Sequence, residues 1–178
     1  MALKKASELL HAVHGFGPYF DSESRILILG SFPSVLSRAK NFYYGHPVNR
    51  FWPLLSHFFD IPIPNDIDGK KKILKDIHIA LYDVIDECDI TGSSDVSIKN
   101  PILTDISSIL SESSVQKILL NGKKAGELFV RYQLPIIGDR IPYFVMPSTS
   151  PANAAYRLDD LIRAWAPELL ICKSGSGV

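Results

Sequence analysis

Short apolar runs alternate along the chain with longer amphipathic segments. Four of these runs are short, apolar and often β-branched, as buried parallel strands are; they cover residues 25–29, 79–84, 115–120 and 142–146. Gly, Pro, Asn and Asp punctuate the segments between them, a pattern typical of βαβ units. The pattern therefore predicts an α/β fold whose central sheet is four-stranded and mainly parallel.

The segments between these runs carry apolar residues at helical spacing. We predict helices over residues 5–14, 49–59, 70–76, 104–112, 123–132 and 154–164. The sequence shows no internal repeat and no interdomain linker, so we expect a single domain over residues 1–173. Residues 174–178 are rich in Ser and Gly, and we expect a flexible tail there.

The composition excludes several classes of protein. Of the 178 residues, 46% are hydrophobic, which is enough to form a core without a stabilising metal or disulfide. Lys and Arg together number 19, and so do Asp and Glu, so the chain lacks the overall positive charge of nonspecific nucleic-acid binders. This balance does not exclude a local basic groove. Cys88 and Cys172 are far apart and form no CxxC motif, so we interpret both as buried apolar residues. No apolar run approaches the roughly 20 residues that span a bilayer, and we expect a cytoplasmic protein without a membrane partner.

Two loops that follow predicted strands are unusual in composition, and in a parallel sheet ligands bind beyond the carboxyl ends of the strands. The first begins at Gly30 with the letters GSFPS and continues into an aromatic segment, residues 42–52; the second, residues 146–153, reads MPSTSPAN. Gly30 allows a tight turn whose backbone can approach a ligand. The hydroxyls of the second loop could hold a sugar-phosphate backbone. Neither loop matches a dinucleotide-binding, phosphate-binding or nucleophile-elbow motif.

Each loop also allows a purely structural interpretation. The aromatic residues of segment 42–52 could be core or lid packing, and His46 could make a helix-initiating hydrogen bond instead of acting as a general acid. Asn153 could cap the last helix in an ordinary strand-to-helix connection. A hydrolase that uses Ser31 or Ser34 as nucleophile is a further interpretation, but no convincing histidine and acid pair accompanies either serine.

Taken together and in this order, these motifs resemble the uracil-DNA glycosylase superfamily. The strand that ends in GSFP is similar to the first motif of that superfamily, and MPSTSPAN occupies the place of the second. The letters YGHPVNRFW, residues 44–52, are similar to the segment that follows the first motif in mismatch-specific uracil-DNA glycosylases. The combination, together with residues 81–84, 92–95 and 104–105, is most similar to the hypoxanthine-DNA, or deoxyinosine, glycosylases. The resemblance runs from about residue 25 to residue 163 and implies a three-layer α/β/α fold.

Two positions depart from the pattern of that superfamily. Phe32 stands where the mismatch-specific enzymes carry a water-positioning asparagine, and Met146 stands where the strongest uracil-excising branches have a histidine. Both departures argue against robust uracil excision and fit a deoxyinosine-type enzyme. Asn49 would then replace the missing polar group, although it could also be a structural cap on the helix that follows.

The resemblance implies a monofunctional DNA glycosylase that hydrolyses the N-glycosidic bond of a deaminated base flipped out of DNA, hypoxanthine first and uracil second. The product would be an abasic site for base excision repair. In this hypothesis Asn49 positions the attacking water or hydrogen-bonds the base. His46 hydrogen-bonds the leaving base, and the base stacks on Tyr44. The base-binding residues are Gly30, Ser31, Phe32, Pro33, Tyr44 and Asp83, the last accepting a ring N–H, and the DNA-backbone contacts are Ser34, Ser148, Thr149, Ser150 and Asn153.

The implied chemistry needs neither a metal nor another cofactor, and the expected partner is DNA that contains a deaminated base, bound by a monomer. A different class of function fits the same residues, namely a module that binds damaged or single-stranded nucleic acid, or a nucleotide, without cleaving it. The apolar Phe32 and Met146 favour that alternative, because both lie at usual polar catalytic positions. Turnover, and its loss on Asn49→Ala, distinguishes the two.

Overall fold

The computed structural model describes residues 8–173, and within them it contains two β-sheets and seven α-helices. The strands are β1 (Leu10–Val13), β2 (Ile26–Gly30), β3 (Ile79–Asp83), β4 (Ile85–Ile90), β5 (Lys99–Leu103), β6 (Lys117–Asn121) and β7 (Tyr143–Met146). The helices are α1 (Val35–Lys40), α2 (Phe51–Phe59), α3 (Ile67–Asp76), α4 (Ile106–Glu112), α5 (Lys123–Leu128), α6 (Leu134–Ile137) and α7 (Leu158–Leu169). A π-helical turn, Phe129–Gln133, joins α5 to α6, and short 3-10 turns cover Asp95–Ser97 and Leu170–Cys172.

The four predicted strands form one parallel sheet in the order β3-β2-β6-β7. β2 and β3 are buried at every position, which explains why both are mostly aliphatic. Their register pairs Gly30 with Asp83 at the carboxyl edge of the sheet, and β6 and β7 pair Asn121 with Met146 at the same edge. The predicted α/β class with a parallel four-stranded sheet is confirmed, and each strand begins and ends within two residues of the predicted bounds.

Five of the six predicted helices are present among the described residues. α2 buries its apolar stripe and packs against α7. The predicted helix over residues 123–132 becomes π-helical after Leu128, and α7 begins at Leu158 rather than at residue 154. The sequence analysis did not predict α1. That short helix is capped by Ser34, whose Oγ accepts a hydrogen bond from the backbone N–H of Ser37 at 3.1 Å.

The prediction of a helix over residues 5–14 is wrong. Leu10–Val13 is a strand that pairs antiparallel with β4, and residues 5–7 lie outside the described range. Cross-strand pairing outweighs the short helical pattern here, because His11 lies 3.2 Å from a carboxylate oxygen of Glu87 and 3.2 Å from one of Asp89 on β4. β1, β4 and β5 form a second, antiparallel sheet in that spatial order. Apolar periodicity does not reveal it, since β4 reads IDECDI.

The core lies between the parallel sheet and its helices. Cys88 and Cys172 are buried free thiols, as predicted. Phe32 and Met146 are also buried, with 7% and 6% of their surface exposed, so both departures from the superfamily pattern are packed side chains. No helix within residues 8–173 is long and apolar enough to cross a membrane.

Candidate active site

A pocket of about 130 Å³ lies at the carboxyl edge of the parallel sheet. It is small beside the roughly 300–1,000 Å³ of sites for drug-sized ligands. Eleven of the thirteen predicted site residues line it: Gly30, Ser31, Phe32, Pro33, Ser34, Tyr44, Asn49, Asp83, Ser148, Thr149 and Ser150. His46 and Asn153 do not line it. The structure thus brings the two predicted loops together at one site, while the chemical role of each residue stays a prediction.

Asp83 enters this pocket from the end of β3 and is held from behind by a histidine. Its Oδ2 lies 2.7 Å from Nε2 of His14, a distance at which the ring N–H donates to the carboxylate. His14 follows β1 and is fully buried, and Phe16 and Tyr82 lie with ring centroids 4.3 and 5.3 Å from its own. Sequence reasoning missed His14, because its function depends on a strand that was not predicted.

Gly30 allows the carboxylate of Asp83 to lie directly over the backbone. A Cβ atom at position 30 would lie 2.3 Å from Asp83 Oδ1, well inside van der Waals contact. The same point is 3.9 Å from the hydroxyl of Tyr44. The carboxylate oxygen and the phenol oxygen therefore approach one spot at the floor of the pocket.

Tyr44 is stacked on α2 rather than free in solvent. Its ring lies 3.9 Å from that of Phe51, at an interplanar angle of 27°, and its φ of 53° is uncommon for a bulky residue. Its hydroxyl is buried and makes no well-formed hydrogen bond, although the side chain of Asn121 lies near enough to lower the pKa of Tyr44 slightly. Burial raises the pKa of Tyr44, so the phenol stays protonated at neutral pH and is a donor that a ligand could satisfy.

Asp95 is a second carboxylate in the pocket, and its place was not predicted. It begins the 3-10 turn between β4 and β5, and its Oδ1 accepts a hydrogen bond from Ser31 Oγ at 2.8 Å. Desolvation raises the pKa of Asp95, and the nearby charge of Asp83 raises it further, against the opposing effects of Ser31 and Lys124. No local sequence pattern indicates this contact, because Ser31 and Asp95 are 64 positions apart.

Asn49 both stabilises the start of α2 and lines the pocket. Its Oδ1 accepts a hydrogen bond from the backbone N–H of Phe51 at 2.9 Å, which stabilises the first turn of α2. The residue also lines the pocket, and its Nδ2 has no hydrogen-bond partner among the described residues. The structural role is therefore present, and both N–H donors of Nδ2 are still available to a ligand.

Arg50 joins the two loops, and sequence reasoning did not single it out. Its backbone N–H donates to the carbonyl of Thr149 at 3.1 Å, and its Nε donates to the same oxygen at 3.3 Å. The guanidinium also donates to three further carbonyls of the second loop, those of Ser150, Asn153 and Tyr156. One arginine therefore fixes the position of the second loop against the first.

Thr149 is fully buried and is bound to the end of β6. Its backbone N–H donates to Oδ1 of Asn121, and Nδ2 of Asn121 donates to its hydroxyl, both at 3.0 Å. Ser148 and Ser150 are only partly buried. Within this loop, the two serines are better placed than Thr149 for the predicted contact with a DNA backbone, and Asn121 is a positioning residue that the sequence analysis missed.

His46 and Asn153 lie beside the pocket rather than in it. Nδ1 of His46 accepts a hydrogen bond from the backbone N–H of Val48 at 3.2 Å, and His46 lines a neighbouring cavity together with Trp52. Nδ2 of Asn153 donates to the carbonyl of Ser148 at 3.0 Å. Both side chains shape loops in this structure, and their predicted contacts with the leaving base and with DNA stay predictions.

The model of the uracil DNA glycosylase superfamily matches residues 17–169, a range that contains every residue of the pocket wall. The chain belongs to the uracil DNA glycosylase superfamily. It is therefore a DNA glycosylase, and its substrate is DNA. His14, the hydrogen-bond partner of Asp83, precedes the matched range.

Several proteins of Methanosarcina are similar to this glycosylase. A Methanosarcina acetivorans protein named hypoxanthine DNA glycosylase is 37% identical over 146 residues, which cover 80% of this chain and 89% of the relative. A Methanosarcina barkeri protein of the same name is 37% identical over 116 residues, 64% of this chain and 73% of the relative. A solution NMR structure from Methanosarcina acetivorans, described provisionally as a uracil DNA glycosylase, has a TM-score of 0.76 and 32% identity, and covers 89% of this chain and 97% of its own.

Proposed function

We propose that this glycosylase releases hypoxanthine from DNA. The observation that carries the proposal is the pair of polar groups at the pocket floor, the Asp83 carboxylate and the buried Tyr44 hydroxyl, which makes no well-formed hydrogen bond. One accepts a hydrogen bond and the other donates one, so in this proposal Tyr44 contacts the edge of the base in place of the stacking contact that the sequence analysis expected. The names of the two Methanosarcina relatives support the same base.

Deamination reverses the hydrogen-bonding edge of a base, and the pocket floor complements the deaminated form. Hypoxanthine presents a ring N1–H donor beside its O6 acceptor, which suits Asp83 as acceptor and Tyr44 as donor. Adenine presents the opposite order, an N1 acceptor beside an amino donor. Its N1 and the Asp83 carboxylate would then be two acceptors with no proton between them. Guanine shares the N1–H and O6 edge, but its stable pairing with cytosine opposes the flipping that this chemistry requires.

Uracil is the second substrate in this proposal. It also offers a ring N–H beside a carbonyl, but its single ring would make fewer contacts with the pocket wall than the two rings of a purine. Phe32 adds no polar atom near the sugar. We therefore expect slow uracil release beside faster hypoxanthine release.

The proposed reaction is a simple hydrolysis that leaves an abasic site. Among the described residues that line the pocket none is a lysine, so the pocket wall supplies no amine for a Schiff base with the sugar. We further propose that the protein acts as a monomer and as one domain over residues 1–173, which light scattering and limited proteolysis would test.

Single-turnover cleavage of oligonucleotides with one deoxyinosine, deoxyuridine or deoxyadenosine, developed with alkali, tests the proposal. Asp83→Asn should slow hypoxanthine release about 10- to 100-fold, the expected effect of losing one hydrogen bond to a charged group. Asp139→Asn, the same change at an exposed loop residue, is the matched control. Uracil release faster than hypoxanthine release would contradict the proposed base, and binding of deoxyinosine DNA without release would favour a binding module.

A further inference from the structure

The attack of water on the sugar releases a proton, and a base in the pocket that accepts it in the transition state speeds the reaction. Phe32 contributes no polar atom, and Asn49 uses its Oδ1 to accept from the backbone N–H of Phe51 at 2.9 Å. An amide is in any case too weak a base to take a proton from water. The acceptor is therefore to be found among the ionisable groups of the pocket wall.

The described part of the wall contains two carboxylates, Asp83 and Asp95. Asp83 is fixed by His14 and, in the proposed function, holds the edge of the base. Burial raises the pKa of Tyr43 and that of Tyr44, so both phenols stay protonated, and serine hydroxyls do not ionise near neutral pH. Among the described residues of the wall, Asp95 is then the base still available.

Asp95 is attached to the turn that begins at Gly30. Ser31 directly follows Gly30, and its hydroxyl donates to Asp95 Oδ1 at 2.8 Å. Oδ2 of Asp95 has no hydrogen-bond partner among the described residues. The carboxylate is thus held by one oxygen at the pocket wall while the other is free to receive a proton.

We propose that Asp95 is the general base of hydrolysis and that Ser31 is the positioning residue that holds it; the inference rests on the proposed function. The water oxygen forms a bond to C1′ while the bond between C1′ and the base nitrogen breaks, and the electron pair of that bond leaves with the base. One proton of the water passes to Asp95 Oδ2. The proton then passes through solvent to the departed base, so the products are an abasic sugar with a C1′ hydroxyl, the neutral base and a regenerated carboxylate.

The environment of Asp95 suits this role. Desolvation is the main cause of its raised pKa, and a carboxylate with a raised pKa is a stronger base while it is ionised. The charged groups that face it are Asp83 at the end of β3 and Lys124 in α5, and the thiol of Cys88 in β4 also lies within its field. Lys124 and the Ser31 hydroxyl oppose the shift.

Asp95→Asn and Ser31→Ala test the proposal in single-turnover release of hypoxanthine, with Asp139→Asn as control. Asp95→Asn keeps the shape of the side chain and removes the base, so the rate should fall about 100-fold or more. Its dissociation constant for the same oligonucleotide should stay within about threefold of the wild-type value, because the base acts in the chemical step. Ser31→Ala should slow the reaction about tenfold, since the carboxylate is present but no longer held.

The pH dependence separates a base from a structural residue. The wild-type rate should fall as the pH drops through the pKa of Asp95, and Asp95→Asn should lack this acidic limb. Ser31→Ala should move the limb to higher pH, because the Ser31 hydrogen bond lowers the pKa of Asp95. Asp83→Asn should be slower but should retain the limb.

A wild-type rate or an intact acidic limb in Asp95→Asn overturns the assignment of Asp95. Should that variant fail to fold, as judged by circular dichroism, Ser31→Ala decides the matter: an unchanged rate with an unchanged pH profile overturns the proposal, and a shifted limb supports it. A wild-type protein that releases no hypoxanthine instead refutes the proposed function, so the two failures are distinguishable.

Discussion

Replacement of His14 by phenylalanine tests how strongly the site depends on the pair between His14 and Asp83. His14 is fully buried, and its ring lies 4.3 Å from that of Phe16 and 5.3 Å from that of Tyr82, measured between centroids. A phenylalanine ring fits these aromatic surroundings without leaving a cavity. The substitution therefore removes the donor that lies 2.7 Å from Asp83 Oδ2, together with Nδ1, which is buried without a partner and whose loss offsets part of the cost.

The expected cost follows from the burial of both partners. Removing the donor of a buried hydrogen bond to a carboxylate costs about 1.5–3 kcal/mol, because the carboxylate loses its partner away from water. Asp83 is only 5% exposed, so water does not replace the lost hydrogen bond. In a chain of this length each kcal/mol lowers Tm by about 2–4 °C, which gives an expected fall of roughly 3–12 °C.

Urea and thermal denaturation, followed by circular dichroism, measure the free energy of unfolding. His57→Phe makes the same change at an exposed position of α2 and should stay within about 0.5 kcal/mol of the wild type. Asp83→Asn removes the charge that His14→Phe leaves unpaired, so it should restore stability in that variant although it does not stabilise the wild type. The coupling between the two substitutions should reach about 1 kcal/mol or more.

Hypoxanthine release by His14→Phe should be measured well below the Tm of that variant. Its rate should be lower than that of the wild type, as for Asp83→Asn, because the Asp83 carboxylate loses its orientation. A loss of stability below about 1 kcal/mol would refute the argument that this pair holds Asp83. The argument would also be refuted if Asp83→Asn changed the free energy of unfolding by the same amount in the wild type and in His14→Phe.

Three further substitutions test other contacts of the site. Gly30→Ala places a Cβ 2.3 Å from Asp83 Oδ1, so it should cost about 1–3 kcal/mol in urea denaturation and slow hypoxanthine release. Arg50→Lys replaces a fork of donors by one ammonium group, so amides of residues 147–156 should exchange hydrogen faster and base release should slow. Desolvation and the charge of Asp83 raise the pKa of Asp95 in the folded state. Above that pKa the ionised Asp95 destabilises the folded protein. Below the unfolded-state pKa of about 3.9 Asp95 is protonated in both states, and the destabilisation is absent. Asp95→Asn should accordingly raise Tm at pH 7, and thermal scans should show the gain shrinking as the pH falls toward 4; a constant gain would contradict the cause.

The parallel sheet could be predicted from sequence because burial on both faces makes its strands apolar. β2 has no exposed position, and such a run has one plausible place in a fold of this size. The antiparallel sheet gave no such pattern. β4 carries three acidic residues in six, and β1 has four residues whose pairing with β4 decides their conformation. A local hydrophobic pattern does not encode that pairing.

The candidate site divides in the same way. The GSFPS turn and the MPSTSPAN loop are continuous in sequence, so their composition alone indicated them. The contacts that arrange them are distant in sequence: His14 and Asp83 are 69 positions apart, and Arg50 and Thr149 are 99. Each of these pairs joins residue types that are common throughout the chain. Only the fold shows which histidine and which arginine are involved.

The two carboxylates of the pocket differ in their surroundings, and in the two proposals this difference separates recognition from chemistry. Asp83 is buried at the end of a central strand with a histidine behind it, which suits a fixed acceptor for the edge of a flat base. Asp95 lies on a turn, is held through one oxygen and has a raised pKa, which suits transfer of a proton. Titratable groups in contrasting environments commonly divide catalytic roles in this way. A protein that keeps Asp83 and loses Asp95 should therefore still select deoxyinosine DNA and hold it without cleavage, which makes Asp95→Asn the variant that converts the enzyme into a binding module.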